Sequence, residues 1–219
     1  MLISTATRLR TSESNPSLWP VSLSYGQVNL RPLSTRDEAA WSEIRQRSSQ
    51  WLGPWDSTRP ENSLEQQQSF RQLVKNFQRR ARKGLLLPWA VYYAPDVGEK
   101  AVFCGQVTVS GISHGSACWG TIGYWIDQRW AGRGIIPLAV ALATDFCFQK
   151  LSLHRIEVAI VPQNEKSLAV VRKLGFRHEA RLSRYMHVGG QWRDHDLFAI
   201  HAEDVPEGLV KRLERRQQE

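Results

Sequence analysis

The stretch of this chain best suited to chemistry reads Thr121-Ile122-Gly123-Tyr124-Trp125-Ile126-Asp127-Gln128-Arg129-Trp130-Ala131-Gly132-Arg133-Gly134-Ile135-Ile136. A strand-like run gives way to a glycine-bearing turn, and an apolar helical pattern begins directly after it. Glycine lets backbone approach a ligand closely, and the first N–H groups of a helix point outward, unpaired, at the positive end of the dipole. Together they suit a diphosphate, with Arg129 and Arg133 adding local positive charge. Taken alone, the spacing equally describes a plain turn joining a strand to a helix. Further on, Asn164 and Ser167 stand three residues apart, ahead of Arg172-Lys173-Leu174-Gly175-Phe176. Ser167 is open to two readings, a reactive hydroxyl or one that caps its own helix start.

The elements that would position these residues follow from periodicity. Residues 28–33 alternate apolar and polar, a strand signal, with Pro32 indicating an edge. Thr35, ahead of Asp37 and Glu38, is expected to cap a helix running to about Arg47. The Trp51-Leu52-Gly53-Pro54-Trp55 run reads as an ordered loop. A helix from about Ser63 would bury Phe70, Leu73, Val74, Phe77 and Ala81 as one stripe. Its basic end at 79–83 is either a solvated face complementing the helix dipole or a contact for substrate or RNA. Three strands are expected near 88–94, 101–112 and 117–127, with turns at Asp96-Val97-Gly98 and Ser113-His114-Gly115. An amphipathic helix over about 134–150, a strand over 156–161 and a short helix from Ser167 to a stop at Gly175 come next. Strands near 177–188 and 191–201 flank Gly189-Gly190, a two-residue hairpin turn. Val205, Leu209 and Leu213 predict a closing helix. The order describes a mixed α/β sandwich.

Composition narrows the class. The 219 residues are 42% hydrophobic and 23% charged, which fits neither a collagen-like nor a wholly disordered chain. A formal net charge of +8 favours anionic partners such as phosphate groups, nucleic acid or acidic protein surfaces without choosing among them. Three cysteines without CxxC spacing argue against a disulfide framework or a zinc site, so no metal is expected and a reducing cytoplasm is. No apolar run approaches membrane-spanning length, and no cationic region followed by an apolar stretch suggests a signal peptide.

The strand–glycine turn–helix, followed by Asn164, Ser167 and Lys173-Leu174-Gly175-Phe176, resembles the GNAT superfamily of acetyl-CoA-dependent N-acetyltransferases. Leu30-Arg31-Pro32-Leu33, Gly123-Tyr124-Trp125, His154-Arg155-Ile156-Glu157-Val158 and Trp192-Arg193-Asp194 look most like the Rim-type (RimJ/RimL) ribosomal-protein branch. The likeness spans roughly residues 26–202. It implies an α/β GNAT fold, with a mixed sheet of about seven strands splayed between the fourth and fifth and flanked by helices. Residues 1–24, rich in Ser, Thr, Arg and Pro without periodicity, read as a loose arm pinned near Leu18-Trp19-Pro20, ahead of a catalytic domain over 25–203 and a basic C-terminal helix over 204–219. Where the family loop reads Q/R-x-x-G-x-G/A, this chain has Ala131 first and Ile136 last.

The resemblance also implies roles. Acetyl-CoA would be held by Tyr124, Trp125, Ile126, Arg129, Ala131, Gly132, Arg133, Gly134, Ile135, Ile136, Asn164 and Ser167. The backbone N–H of Ile126 would meet the oxyanion, Asn164 the pantetheine arm, and Ser167 the sulfur. Sister enzymes carry a glutamate and a tyrosine at positions that are Ala159 and Val171 here, so that pair is absent. Glu157, on the same strand face as Ala159, is the substitute base, or else an ion-pair partner of an arginine such as Arg155. Asp194 and His187 are further carriers, although Asp194 also suits a role fixing the last hairpin. Trp51, Trp55, Tyr185 and His187 would wall the acceptor cleft.

Physical chemistry bears on the acceptor. An α-amine of pKa about 7.7–8.0 is roughly a tenth to two-fifths neutral near pH 7–7.5, whereas a lysine at about 10.4 is neutral around one part in a thousand. A site without a strong base therefore favours an α-amine. The expected partner is a protein or peptide N-terminus, such as that of a ribosomal protein, with a transient ribosome contact, no membrane, and a monomer or homodimer. The competing readings are a GNAT enzyme acting on a small-molecule amine, and a non-catalytic acyl-CoA- or RNA-binding module.

Overall fold

The computed structural model describes residues 18–64, 66–96 and 99–218. The expected arm up to residue 17, and Val97-Gly98 of one expected turn, lie outside them. Eight strands form one sheet in the order β1-β2-β3-β4-β5-β6-β8-β7. They are β1 (Leu23–Tyr25), β2 (Val28–Pro32), β3 (Leu86–Tyr93), β4 (Val102–Ser113), β5 (Trp119–Ile126), β6 (Arg155–Ile160), β7 (Arg177–Val188) and β8 (Gln191–His201). All neighbours are antiparallel except β5 and β6. That parallel pair holds only over Trp119↔Arg155, Gly120↔Ile156 and Thr121↔Glu157, after which the two strands part. The splay thus lies where expected once the three-residue β1 is set aside. β1 covers β2 only as far as Leu30, so β2 is not the edge strand over its whole length, but Pro32 keeps an open edge on that side and its missing N–H faces no partner there.

Helices α1 (Glu38–Arg47), α2 (Ser49–Leu52) and α3 (Phe70–Arg82) precede β3; α4 (Ile135–Leu151), α5 (Glu165–Leu174) and α6 (Leu209–Gln218) follow β5, β6 and β8. Caps explain where they begin. Ser34, not Thr35, accepts from Arg36 N–H, and Asp37 accepts from Ser34 N–H. Ser69 and Gln72 form a reciprocal capping box, so α3 starts at Phe70 rather than near Ser63. The 51–55 run is helical, α2 leading into a 3-10 turn over Gly53–Trp55, rather than a loop.

Two apolar clusters sandwich the sheet. The smaller joins Leu33, Ile44, Phe70, Val74, Ala90 and Phe103 beneath α1 and α3. The larger joins the other face to α4, α5 and α6. Helix α4 was expected to be amphipathic, yet it buries Ile135, Ile136, Ala139, Val140, Ala141, Leu142, Ala143, Thr144, Phe146 and Cys147, because α6 covers its far side. Asp145 on α4 accepts from the N–H groups of Leu209 (2.7 Å) and Val210 (3.1 Å), capping α6. Trp19 is buried edge-on to Trp89 at 5.5 Å, which anchors the chain ahead of β1. Gly189 and Gly190, at φ 58° and 85°, make the β7–β8 turn, as their left-handed backbone requires of a tight hairpin. Among the described residues no helix is long and apolar enough to cross a membrane.

Candidate active site

A cavity of about 690 Å³ opens in the splay between β5 and β6. One wall is the glycine turn. Gly132 and Gly134 have φ of 79° and 76°, and a Cβ on either would enter open space. Gly134 precedes α4 without any side-chain cap. None of the five successive backbone N–H groups from Gly132 to Ile136 has an acceptor among the described residues. Pro137 carries no N–H, so it adds no orphan donor. Five open donors at the positive end of a 17-residue helix form a cradle for an anion.

Asp127 holds the start of that turn. Fully buried, it accepts from Arg47 of α1 at 2.6 Å, from Arg129 N–H and Nε at 3.2 Å, and from Ser48 Oγ at 3.4 Å. Burial alone would raise its carboxyl, but the Arg47 and Arg129 hydrogen bonds prevail and hold it below the ordinary carboxylate range. Arg129 is thereby spent on the loop's own structure and does not line the cavity. Arg133 stacks over Trp130 at 4.8 Å and lines, with Lys173, a smaller cavity of about 140 Å³ beside the turn.

β5 supplies the floor. Asp127 N–H donates to the Cys104 carbonyl, which sets the phase of the β4–β5 ladder. Alternate residues of an antiparallel strand face opposite neighbours, so the N–H groups of Tyr124 and Ile126 turn away from β4 toward the splay, where β6 has already departed. The Tyr124 hydroxyl donates to the Ser167 carbonyl at 3.1 Å, and burial pushes its pKa far up. Trp125 turns to the opposite face and packs against Trp41 and Phe103.

Asn164 and Ser167 both line the cavity. The cap of α5 is Asn164, whose Oδ1 accepts from Ser167 N–H at 3.2 Å. No hydrogen bond to Ser167 Oγ is found among the described residues, so its hydroxyl is not the cap that one sequence reading allowed.

The acceptor residues named from sequence are brought together only in part. Trp51 and Trp55 line the cavity; Tyr185 and His187 do not. Tyr185 stands 47% exposed on the hairpin, and His187 Nδ1 meets Thr58 Oγ1 at 2.8 Å. That contact belongs to a clasp between the 53–58 segment and the hairpin, completed by Thr58 N–H to the His187 carbonyl and Gly189 N–H to the Asp56 carbonyl. Glu157 also lies outside the cavity lining. Its carboxylate is held by Arg155 Nε at 2.7 Å, and Arg155 in turn engages Glu179 and His201. The ion-pair reading is the one the geometry carries, because Arg155 holds the carboxylate outside the cavity. Asp194 accepts from Arg184 N–H, fixing the hairpin.

Three ionisable cavity groups escaped the sequence reading, Asp56, Lys166 and His195, while Lys173 of the quoted motif joins them in the lining. Asp56 is ion-paired with Arg45, and Lys166 lies 5.9 Å over the Trp51 ring. His195 is 2% exposed, with Nδ1 3.0 Å from the Arg193 carbonyl. Burial lowers its pKa, as does the charge of Arg193, against the opposing pull of that carbonyl, Asp194 and Asp196. Its alternation with Leu197 and Ala199 along β8 was the available signal.

Residues 27–177 match the acetyltransferase (GNAT) domain family, more than half of the chain. The protein belongs to the GNAT acetyltransferases. The RimJ of Mycobacterium smegmatis, solved in complex with CoA-disulfide, is 34% identical with a TM-score of 0.78, over 91% of this chain and 96% of that one. The [ribosomal protein uS5]-alanine N-acetyltransferase of Escherichia coli is 28% identical over 86% of this chain and 94% of its own. The spermidine N(1)-acetyltransferase of E. coli is 32% identical, over 44% of this chain and 50% of its own. This GNAT protein is an acetyltransferase with an eight-stranded mixed sheet, and its Rim-type relatives are those that the sequence pattern indicated.

Proposed function

We propose that this GNAT protein transfers acetyl from acetyl-CoA to the α-amine of a protein N-terminus, that of a ribosomal protein being the model acceptor. The observation that carries this reading is the charge of the cavity. Its one carboxylate among the described lining residues, Asp56, is already paired with Arg45, while Lys166 and Lys173 are cationic. A polyamine or a lysine side chain, charged at neutral pH, would find no free counter-charge there. An α-amine is partly neutral at the same pH and needs none. The uS5-alanine enzyme aligns over most of both chains and the spermidine enzyme over about half, which also favours the α-amine. Three free cysteines, two of them buried, suit the reducing cytoplasm.

The residues present fit the coenzyme. The open amides of Gly132 to Ile136 would hold its diphosphate, with Arg133 and Lys173 adding charge beside the turn. The coenzyme supplies the activated acetyl group. Ile126 N–H, facing the splay, would stabilise negative charge developing on the carbonyl oxygen. Ser167, with a free hydroxyl in the lining, would meet the departing sulfur, and Trp51 and Trp55 would wall the peptide. An acetylation assay with a free-N-terminus peptide, an N-blocked lysine peptide and spermidine tests the reading. Thiol release with the first alone is expected; release with lysine or spermidine and none with free α-amines would overturn it.

A further inference from the structure

We propose that His195 is the group that takes the proton from the acceptor amine. This rests on acetyl transfer within the cavity and adds the base that the family positions Ala159 and Val171 cannot supply.

Placement comes first. Ile156, Val158 and Ile160 of β6, and Phe198 and Ile200 of β8, belong to the large core under α4 and α5. Alternation therefore turns Ala159, Leu197 and His195 to the opposite face of the sheet. The β6–β8 register sets Ala159 opposite Leu197 and Ile160 opposite Asp196, so His195 lies diagonally beside Ala159, one step nearer the end where β6 leaves β5. Both residues line the cavity, together with Trp51, Trp55 and Asp56. The alanine methyl leaves room there, and the imidazole is the basic side chain alongside it.

The second argument is the tautomer. A carbonyl oxygen only accepts, so the Arg193 contact requires the proton of neutral His195 to sit on Nδ1. Nε2 is then the lone-pair nitrogen, and it has no partner among the described residues. The neighbouring charges are engaged elsewhere. Asp196 is tied to Arg181 and His178, Asp194 to Arg184 N–H, and Asp56 to Arg45. Tyr185 packs its ring against the imidazole at 5.7 Å, and Lys166 and Lys173 enter the cavity from α5. None of these offers the ring an ionic partner that would hold it protonated, and burial keeps it neutral at pH 7.

In the step, Nε2 receives one proton of the acceptor ammonium. The nitrogen lone pair forms the C–N bond to the acetyl carbon, and the C–S bond breaks with its electron pair left on sulfur. Sulfur takes a second N–H proton to become the thiol, and His195 returns its own proton to water.

The variant His195→Asn keeps an amide N–H toward the Arg193 carbonyl and removes the base. Wild type and variant are compared on the same three acceptors, with coenzyme affinity by calorimetry, thermal unfolding, and the ring titration of His195 by NMR without coenzyme. On whichever acceptor wild type uses, the variant is expected to lose about 100-fold in kcat/KM at pH 7, recovering as pH rises and the amine deprotonates itself. Coenzyme affinity should stay within twofold, and the wild-type ring should show the Nδ1–H tautomer with a midpoint below about 6.5. A folded variant within threefold of wild type and with the same acid limb overturns the assignment. So does a wild-type ring that is protonated at pH 7 or carries its proton on Nε2, a result independent of whether the variant folds. The wild-type choice among the three acceptors judges the substrate reading separately, because the variant-to-wild-type ratio does not depend on it.

Discussion

Replacing Gly134 by alanine separates a ligand cradle from an ordinary turn. Its φ of 76° lies in the left-handed region, and the added Cβ would meet nothing within 4 Å, so the structural cost is conformational strain alone. That strain is about 1–2 kcal/mol. At roughly 2–4 °C per kcal/mol for a chain of this size, the melting temperature should fall by about 2–8 °C. The methyl group also enters the mouth of α4, where an anion would have to approach the open amides. Losing one such charge-assisted contact, about 1.5–3 kcal/mol, weakens coenzyme A binding roughly 10- to 100-fold. Gly111→Ala is the matched control: its φ of 61° is equally left-handed with open space around the Cβ, but it does not line the cavity. Calorimetry on both variants, with coenzyme A and with a pantetheine fragment lacking the diphosphate, reads the difference. Equal coenzyme A affinity for the two variants, despite equal loss of stability, would refute the cradle.

Further consequences of the site can be measured alongside. Asp127→Asn removes the anchor between the turn and α1, and with Arg47 partly solvated it should cost about 2 kcal/mol in urea unfolding and raise the KM for acetyl-CoA; unchanged stability would show that the ion pair is idle. Ser167→Ala should lower kcat several-fold while leaving coenzyme affinity and melting temperature nearly unchanged, because its hydroxyl carries no internal hydrogen bond; a lower melting temperature with normal kcat would make the residue structural. Tyr124→Phe breaks the tie to the Ser167 carbonyl and should cost about 1 kcal/mol of stability, checked by denaturant midpoint. In acid, the depressed pKa of His195 means the unfolded chain binds the proton first, so unfolding free energy should begin to fall as pH drops below about 6.5, a phase absent from His195→Asn. The contribution of Asp127 has the opposite chemistry but the same sign, present above about 3.9 and lost as pH falls through its lower folded value.

What the sequence disclosed was local. The glycine turn, the helix after it, the Gly189-Gly190 hairpin and the Gly175 stop each depend on a few neighbouring residues, and each stands within a residue or two of its expected place. Ser34 and Ser69 were legible too, since Ser-x-x-Asp and Ser-x-x-Gln are capping-box spacings, but Thr35 and the polar run after Ser63 offered competing starts. β1 has three residues, too few for alternation to register; it covers β2 up to Leu30 and leaves Pro32 at a local edge. The candidate site was harder to read because its chemistry is a matter of register. Arg47 and Asp127 are 80 residues apart, and nothing near either names the other. Glu157 and Ala159 share a face, yet only the fold shows Arg155 holding one while the other borders open space. Alternation along β8 gives the face of His195, but its place beside Ala159 emerges only when β8 is laid against β6.

The clasp between the 53–58 segment and the β7–β8 hairpin has a consequence for how acceptor choice can change. It is built largely from main-chain atoms, with Thr58 and His187 as its side-chain pin. The indoles of Trp51 and Trp55 ride on the ribbon it secures, on the far side of the sheet from the helix whose start would receive the coenzyme. On the proposed reading, exchanges at those two aromatics would change which acceptors are admitted while the frame beneath keeps its shape, leaving the half that would handle the acetyl donor as it is.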